Sequence, residues 1–347
     1  MRAITTLPGT PDSARLDDLP EPADDPQMLL VQAVAVGVCG TDLEILSGAY
    51  GQPPPGHDRL ILGHENLGRV VRAPAGSGFS AGEMVVGVVR RPDPVPCPSC
   101  AAGEWDMCRN GRYTERGIRG RDGYAAERYL LEPAFAVTVP AALGELGVLV
   151  EPTTVVAKAW EQIERIGARA IWTPRRVLIT GAGPIGLLAA LLARQRGLEV
   201  HVFDRITDGP KPGLVAALGA TYHTGSVKDL PACDVAVECT GVGELVFELM
   251  AAAPPDGIVC LTGVSSGTHK LGVNLTELNK QLVLENNVVF GVVNANLRHY
   301  RAAVEALARA DRGWLERLVS RRVPVQRWHE ALVRGPTDVK PVITWAS

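Results

Sequence analysis

The sequence feature that most constrains the fold is a glycine-rich turn near the middle of the chain. The turn consists of Gly181, Ala182, Gly183, Pro184, Ile185 and Gly186. An apolar run over 177–180 predicts a buried strand before it, and Leu and Ala at helical spacing over 184–196 predict a helix after it. In that context Gly181 permits the tight turn, Gly183 lets a pyrophosphate approach the backbone, and Gly186 lets helix and strand pack closely. The sequence therefore predicts a dinucleotide site at the helix N-terminus, where Pro184 and Ile185 begin the helix.

The residues on either side of this turn predict two kinds of domain. After residue 176, apolar strand patterns alternate with helical patterns up to about residue 293, which is typical of a doubly wound parallel sheet. The first 150 residues instead hold short β-branched runs separated by Gly and Pro, which predict a mostly β domain. We therefore predict an α/β protein with a mostly β domain and a doubly wound Rossmann domain.

The residues after the second Rossmann strand bear on the choice of cofactor. Asp204 follows the glycine-rich turn by about 20 residues, the position from which an acid binds the adenosine ribose of NAD. Its charge would repel the 2′-phosphate of NADP, so Asp204 favours NAD. Arg205 has the opposite effect, because a guanidinium pairs with phosphate. We predict that NAD is favoured, with NADP as the alternative.

A set of Cys, His and Glu residues predicts a catalytic metal site. Cys39 lies in the segment Cys-Gly-Thr-Asp, His64 and Glu65 follow Gly63, and Glu151 precedes a proline. Catalytic Zn²⁺ takes three protein ligands of these types and keeps one position open. We predict Cys39 and His64 as ligands, while Glu65 and Glu151 compete for the third place.

The neighbours of the predicted ligands suggest a route for a proton. Zinc that coordinates a substrate hydroxyl lowers its pKa and favours transfer of a hydride to a nicotinamide. Thr41 can pass the released proton on through its own hydroxyl, and Glu44 is the next acceptor if the segment is helical. The predicted catalytic residues are therefore Cys39, Thr41, Glu44, His64, Glu65 and Glu151.

A second metal site is predicted from three crowded cysteines. Cys97, Cys100 and Cys108 lie within a dozen residues of one another, which favours metal binding over disulfides in a chain without a secretory pattern. Asp93 is the nearest carboxylate and could complete a closed structural zinc site. The alternative is a segment without metal.

Length and charge set limits on function. The 347 residues suffice for two domains, and the net charge of −3 gives no reason to expect nucleic acid or an anionic membrane as a partner. No apolar run approaches the ~20 residues of a membrane span. Because the N-terminus lacks a secretory pattern, we expect a cytoplasmic protein.

Together these residues resemble the zinc-dependent medium-chain dehydrogenase/reductase superfamily and, within it, the archaeal-type glucose dehydrogenases. The resemblance spans the whole chain. It rests on the segments Gly37–Ile45, Leu62–Glu65, Val89–Arg91, Glu115–Ile118, Glu151–Pro152, Gly181–Gly186 and Gly291–Asn294.

The resemblance implies a domain organisation and a set of ligand contacts. A GroES-like catalytic domain would comprise residues 1–155 and 295–347, with the Rossmann domain inserted as residues 156–294. Zinc would bind Cys39 and His64, with Glu65 and Glu151 as the acidic candidates. Contacts to sugar hydroxyls are expected from Glu115, Glu151 and Asn294, and Asn294 is expected to contact the cofactor as well.

Departures from the family pattern affect the expected substrate. Family members often carry two basic residues after the second Rossmann strand, where this chain has Asp204-Arg205-Ile206. They often carry Asn at the position of Val89 and an acid at that of Val155. We therefore predict a sugar or polyol-like substrate, with deoxysugars and cyclitols as alternatives to glucose.

Three other functional expectations complete the prediction. The first alternative is a general alcohol or threonine dehydrogenase, and the second is an NAD(P)-binding redox sensor without catalytic activity. The resemblance also suggests a homodimer or homotetramer, formed through an exposed edge strand near 288–293 of the Rossmann sheet.

Overall fold

The chain forms two compact units. The computed structural model describes residues 1–265, 270–333, 335 and 337–345. The first unit comprises Met1–Glu151 with Asn294–Ser347, and the second comprises Pro152–Val293. The divisions expected from the sequence lie after residues 155 and 294.

Both units consist of short strands and of helices that are between 4 and 18 residues long. The strands are β1 (Arg2–Thr6), β2 (Arg15–Asp18), β3 (Leu29–Gly37), β4 (Leu60–Ile61), β5 (Glu65–Arg72), β6 (Met84–Gly87), β7 (Arg90–Arg91), β8 (Thr114–Arg116), β9 (Gly120–Arg121), β10 (Arg128–Leu131), β11 (Ala136–Val139), β12 (Arg176–Thr180), β13 (Glu199–Phe203), β14 (Thr221–His223), β15 (Val235–Glu238), β16 (Ile258–Leu261), β17 (Val288–Gly291), β18 (Arg321–Pro324) and β19 (Pro341–Thr344). The helices are α1 (Gly40–Leu46), α2 (Pro98–Ala101), α3 (Val150–Gly167), α4 (Pro184–Gln195), α5 (Pro210–Ala217), α6 (Gly243–Ala252), α7 (Leu275–Leu284), α8 (Leu297–Ala308) and α9 (Arg312–Leu318).

The first unit is built around a mixed sheet in the order β11-β6-β5-β3-β19-β18, with β10 also paired to β3. Along β3, Leu29, Val31 and Ala33 alternate into the core, as expected for a strand with one fully covered face. Strand β19 pairs antiparallel with β3, so that Val342 lies opposite Gly37. The C-terminal segment is therefore part of the same sheet as the strand that leads to Cys39.

The second unit is a six-stranded parallel sheet in the order β14-β13-β12-β15-β16-β17. Its central strands are almost continuously buried and apolar, because helices cover both faces of such a sheet. The strand order reverses direction at β12, which has β13 on one side and β15 on the other. The predicted doubly wound Rossmann sheet is therefore confirmed.

Helix α7 of the second unit was not predicted from the sequence. Helix α7 begins after Asn274, whose side chain accepts a hydrogen bond from the N–H of Glu277. The segment carries several exposed apolar residues, so it lacks the clean apolar face by which a helix is recognised in a sequence. Among the described residues, no helix is both long enough and apolar enough to cross a membrane.

Candidate functional site

The predicted catalytic ligands Cys39, His64 and Glu65 lie together in the first unit. Cys39 follows β3 and caps α1, while His64 and Glu65 lie at the start of β5. Strands β3 and β5 are antiparallel neighbours with Gly37 opposite Glu65, which brings the two segments together. The Cys39 Sγ lies 3.0 Å from the His64 Nε2. One ligand atom from each of the three residues falls within 4.8 Å of the others.

Asp42 supports this cluster and was missed as a site residue by the sequence analysis. Its Oδ2 accepts a hydrogen bond of 2.9 Å from the Cys39 N–H. Its Oδ1 lies 3.4 Å from the Nδ1 of His64. A carboxylate on one ring nitrogen of a histidine orients the other nitrogen toward a metal. The signal was present in the sequence, since Asp42 stands at the N3 position of a capping box on α1.

The electrostatics of the cluster suit a cation. Burial lowers the pKa of His64, but the neighbouring Cys39 and Asp42 outweigh it and raise that pKa well above its ordinary value. Burial raises the pKa of Asp42, yet the charge and hydrogen bond of His64 leave it lowered. The pocket thus stabilises positive charge, and its sulfur, imidazole and carboxylate donors are those that Zn²⁺ prefers.

Glu65 has a buried partner that no neighbouring residue in the sequence predicts. The Lys340 Nζ lies 2.6 and 2.7 Å from the two carboxylate oxygens of Glu65, and it also donates to the Val38 carbonyl. Both side chains of the pair are almost fully buried. A Cβ at Gly37 would lie 2.1 Å from the Glu65 Oε2, so only glycine leaves room for the carboxylate there.

The remaining predicted catalytic residues are Glu151, Thr41 and Glu44. Glu151 lies in the first turn of α3, outside the group of three ligand atoms. Burial, with the charge of Glu65 adding to it, raises the pKa of Glu151 to about 7. The N–H of Thr41 donates to the Cys39 Sγ at 3.3 Å, and Glu44 lies one turn later in α1, so the segment is helical as the proton route requires.

The three crowded cysteines also form a cluster, in a segment that we call the cysteine lobe (residues 93–112). One sulfur from each of Cys97, Cys100 and Cys108 lies within 4.8 Å of the others. Cys97 caps α2, and N–H groups of Arg109 and Cys100 lower the pKa of its thiol to about 6. Burial raises the pKa of Cys100 to about 11. A thiol of lowered pKa beside two others is a suitable start for a structural zinc site.

Asp93 does not join the cysteine cluster in this structure. Its Oδ2 accepts hydrogen bonds from the Asn110 side chain at 2.9 Å and from the Arg112 guanidinium at 3.3 Å. Its Oδ1 accepts one from the N–H of Val95 at 2.8 Å. Of the predicted set of three cysteines and one aspartate, the structure therefore brings together only the three cysteines. The Asp93 side chain instead links the beginning of the lobe to its end by hydrogen bonds.

The predicted sugar contacts Glu115 and Asn294 lie side by side in the first unit. The Asn294 amide donates to the Glu115 Oε1 at 2.7 Å, from a residue with a positive φ of 61°. Arg90 on β7 is paired with Glu115 on β8 and donates to the same oxygen. Val89 is buried in the hydrophobic core, and its N–H donates to the Tyr300 hydroxyl.

The dinucleotide turn of the second unit has the predicted strand–turn–helix form. Gly181 follows β12 with φ of 90°, and Gly183 is the N-cap of α4, whose first residues are Pro184 and Ile185. A Cβ at Gly186 would lie 1.7 Å from the carbonyl oxygen of Gly181, whereas a Cβ at Gly183 would meet no atom within 4 Å. The turn therefore leaves the N–H groups at the N-terminus of α4 open to a pyrophosphate.

Asp204 is engaged by the protein itself. Its Oδ2 accepts hydrogen bonds from the N–H of Ala182 at 2.7 Å and from the Lys211 Nζ at 2.9 Å. Burial raises its pKa, but the N–H of Ile206 and the ammonium of Lys211 leave it lowered. Arg205 is exposed and forms no ion pair with the described residues. The sequence analysis did not identify Lys211 as a partner of Asp204, because Lys211 lies in the first turn of α5, outside the dinucleotide-binding motif.

Comparisons with known proteins agree along the whole chain. Residues 144–345 match the family model described as "Glucose dehydrogenase C-terminus", and residues 25–141 match that of the alcohol dehydrogenase GroES-like domain. Glucose 1-dehydrogenases of Methanocella arvoryzae and Thermoproteus tenax are 40% and 39% identical to it, each over 99% of both chains. The structure of Haloferax mediterranei glucose dehydrogenase in complex with NADP, Zn and gluconolactone has a TM-score of 0.93 at 30% identity, over 100% of both chains.

These matches define the chain as a medium-chain dehydrogenase/reductase, with a GroES-like domain and a Rossmann domain. Within that class it belongs to the glucose dehydrogenase family. The predicted family, the fold class and the enzyme class, an oxidoreductase, are thereby confirmed.

Proposed function

We propose that this protein oxidises a ring hydroxyl of a sugar, with glucose as the leading candidate, and reduces NAD or NADP. The observation that carries the proposal is the cluster of Cys39, His64 and Glu65, supported by Asp42. The relatives are glucose 1-dehydrogenases, and a similar structure holds NADP, zinc and gluconolactone. A redox sensor would have no need of a supported ligand cluster, so the cluster argues for catalysis.

The chain's own residues have distinct roles in this reaction. Cys39 and His64 would hold Zn²⁺, with Glu65 and Glu151 as its alternative acidic ligands. Bound Zn²⁺ would supply Lewis acidity to the sugar hydroxyl, and bound NAD or NADP would take up the hydride of the carbon that bears this hydroxyl. The hydroxyl of Thr41 would receive the proton, and Glu44, one helical turn away, would pass it toward solvent.

The sugar would be bound by carboxylate and amide groups of the first unit. Glu115, Glu151 and Asn294 can accept or donate hydrogen bonds to its other hydroxyls, and Glu115 and Asn294 already contact one another. Because Val89 is buried in the core, it offers the sugar no polar contact. We therefore extend the proposed substrates to deoxysugars and cyclitols as well as glucose.

For the cofactor, we propose NAD with substantial tolerance of NADP. Asp204 would bind the ribose hydroxyls of NAD, but Lys211 neutralises part of the charge that opposes a 2′-phosphate. Exposed Arg205 could pair with that phosphate. The turn residues Gly181 to Gly186 would hold the pyrophosphate, and Asn294 would add a contact to the nicotinamide end.

We propose a structural zinc ion in the cysteine lobe. Cys97, Cys100 and Cys108 supply three thiolates, and a closed zinc site needs a fourth ligand. To become that ligand, Asp93 would have to exchange its hydrogen bonds with Asn110 and Arg112. Two equivalents of zinc per chain support both sites, and one equivalent leaves the lobe without metal.

We propose a cytoplasmic homodimer or homotetramer that forms through the second unit. Strand β17 is an edge strand of the parallel sheet and therefore presents unpaired backbone groups. The same unit exposes several large apolar side chains, namely Val242, Val264, Leu275, Val283, Leu284 and Val293. Analytical ultracentrifugation measures the number of subunits directly.

A substrate screen with matched variants tests the proposed reaction. The purified protein is assayed for cofactor reduction with aldoses, deoxysugars, cyclitols and simple alcohols, using both NAD and NADP. Cys39→Ser should abolish turnover with every substrate. Cys233→Ser, which changes a cysteine outside both clusters, is the control and should retain it. Preference for simple alcohols over all sugars would contradict the proposal.

A further inference from the structure

We propose that Arg90 is a positioning residue, which aims the Glu115 carboxylate at the sugar and ties it to the cysteine lobe. The inference rests on the proposed role of Glu115 in sugar binding. It concerns a residue that has no expected contact with substrate, cofactor or metal.

The contacts of Arg90 with Glu115 are close and buried. The Nε and Nη2 of Arg90 lie 3.1 and 3.0 Å from the Oε1 of Glu115. Arg90 is 4% exposed and Glu115 is 5% exposed, so little water competes for these bonds. The guanidinium also lies 3.7 Å from the centre of the Tyr113 ring, which fixes its plane.

All hydrogen bonds that the described residues make with the Glu115 carboxylate are accepted by one oxygen. Oε1 accepts the two bonds from Arg90 and a third of 2.7 Å from the Asn294 amide. Within the described part of the chain, Oε2 accepts none. Three donors on one oxygen set the rotation of the carboxylate, and they leave Oε2 as the acceptor for a sugar hydroxyl.

The third nitrogen of Arg90 connects this carboxylate to the cysteine lobe. Its Nη1 donates to the carbonyl oxygen of Asp106 at 3.3 Å, in a short helical turn just before Cys108. The Asn296 amide donates to the Gly103 carbonyl at 2.6 Å and to the Asp106 Oδ1 at 3.1 Å. Asn296 lies two residues after Asn294. The cysteine lobe is therefore hydrogen-bonded both to Arg90 and to the segment that carries Asn294, the two partners of Glu115.

Only a guanidinium can make this set of bonds. Its planar fork directs two N–H groups at Glu115 while a third reaches Asp106 on the other side. A lysine ammonium at the same place keeps the charge but has a shorter reach and no fixed plane. Arg90→Lys therefore removes the orientation of Glu115 while it keeps the electrostatic attraction.

The next residue in the chain offers a matched control. Arg91 is as buried as Arg90, but it donates to the Glu132 carboxylate at 2.7 Å and to the Val88 carbonyl at 2.6 Å. It makes no hydrogen bond to Glu115 among the described residues. Arg91→Lys thus disturbs the ion pair of a neighbouring, equally buried arginine, and that ion pair does not bear on the sugar.

The experiment compares the sugar KM, the cofactor KM, kcat and thermal stability of four variants of the holoenzyme. The variants are Arg90→Lys, Arg91→Lys, Glu115→Gln and the double variant Arg90→Lys/Glu115→Gln. We expect Arg90→Lys to raise the sugar KM about tenfold, as for loss of a charged hydrogen bond, with the cofactor KM unchanged. Arg91→Lys should lower the melting temperature without changing the sugar KM.

The double variant separates positioning from a general loss of structure. If Arg90 acts through Glu115, the KM of the double variant should equal that of Glu115→Gln alone, because the effects are not additive. An unchanged sugar KM in Arg90→Lys, or fully additive effects, would overturn the inference. If Glu115→Gln itself leaves the sugar KM unchanged, the proposed sugar contact fails as well, and Arg90 is only structural.

Discussion

The two ligand sites of this chain are built in opposite ways. The proposed dinucleotide site of the second unit is one continuous segment, in which backbone N–H groups and the absence of side chains would allow the binding. The candidate metal site of the first unit combines residues from β3, β5 and the position before β19, and its groups are buried charges that depend on one another. A site made of backbone depends on local conformation, whereas a site made of charges depends on the whole sheet that assembles it.

The largest effect should come from removing one metal ligand. Cys39→Ser or His64→Ala should lower kcat/KM by at least about a thousandfold, since several kcal/mol of charge stabilisation at the reacting oxygen is lost. The dissociation constant for NAD, measured by fluorescence titration, should stay within about twofold of the wild type because the turn is a local structure. Comparable losses in nucleotide binding would show that the two sites are not independent.

The reverse experiment alters the turn and leaves the metal cluster intact. Gly186→Ala places a Cβ 1.7 Å from the Gly181 carbonyl, so the turn must open and nucleotide binding should fall steeply. Gly183→Ala is the control, because its Cβ meets no atom within 4 Å. Gly183→Ala should keep the wild-type melting temperature and lose only its affinity for the cofactor, because the pyrophosphate approaches the backbone at this residue. Equal melting temperatures of the two variants would contradict this account. The amount of bound zinc, measured by mass spectrometry, should be unchanged in both variants.

The buried charges of the first unit should make its stability depend on acid. Burial raises the pKa of Glu132, but Arg91, Arg116 and Arg121 outweigh it and lower that pKa to about 2. A lowered pKa contributes stability above the unfolded value of about 4.5, and this contribution is lost as the pH falls toward about 2. Its size is at most ~3 kcal/mol, because part of the side chain reaches solvent.

Glu132→Gln tests this dependence. Denaturant titrations should give a large loss of stability for the variant at pH 7 and a smaller loss as the pH is lowered from about 4.5 toward 2. A difference between wild type and variant that does not change with pH would show that Glu132 acts by shape and not by charge.

The smallest effect concerns the choice of cofactor at the edge of the turn. Lys211→Met leaves the Asp204 carboxylate without its ammonium partner, so its repulsion of a 2′-phosphate increases. We expect the ratio of kcat/KM for NAD to that for NADP to rise about tenfold. Arg205→Ala should raise the KM for NADP alone. An unchanged ratio in both variants would show that these residues do not contact the 2′-phosphate.

The sequence was most informative where a function depends on neighbouring residues. Gly181 to Gly186 could be interpreted directly, since strand, turn and helix follow one another in the chain. Cys39 and His64 were identified as a pair, and β3 and β5 bring them together. The alternation of strands and helices was likewise sufficient to predict the parallel sheet.

The partners of the charged residues could not be predicted. Lys340 reaches Glu65 from 275 positions away, and only the pairing of β19 with β3 makes that contact. Asp93 is the nearest carboxylate to the cysteines in sequence, but its hydrogen bonds to Asn110 and Arg112 could not be predicted from the sequence. The contact of Lys211 with Asp204 was likewise not predicted, because the sequence around a lysine in a helix does not show which side chain its ammonium group will contact.

The position of β19 has a consequence for synthesis on the ribosome. Strand β3 pairs with β5, β10 and β19, and β19 is translated only after the whole second unit. Until then, one edge of β3 stays open beside Cys39, and Glu65 has no ammonium ion to neutralise it. The second unit has all its strands already and can fold as a nascent domain. The residues of the candidate metal cluster and the ammonium partner of Glu65 can therefore all be in place only after the final strand of the first unit has been made.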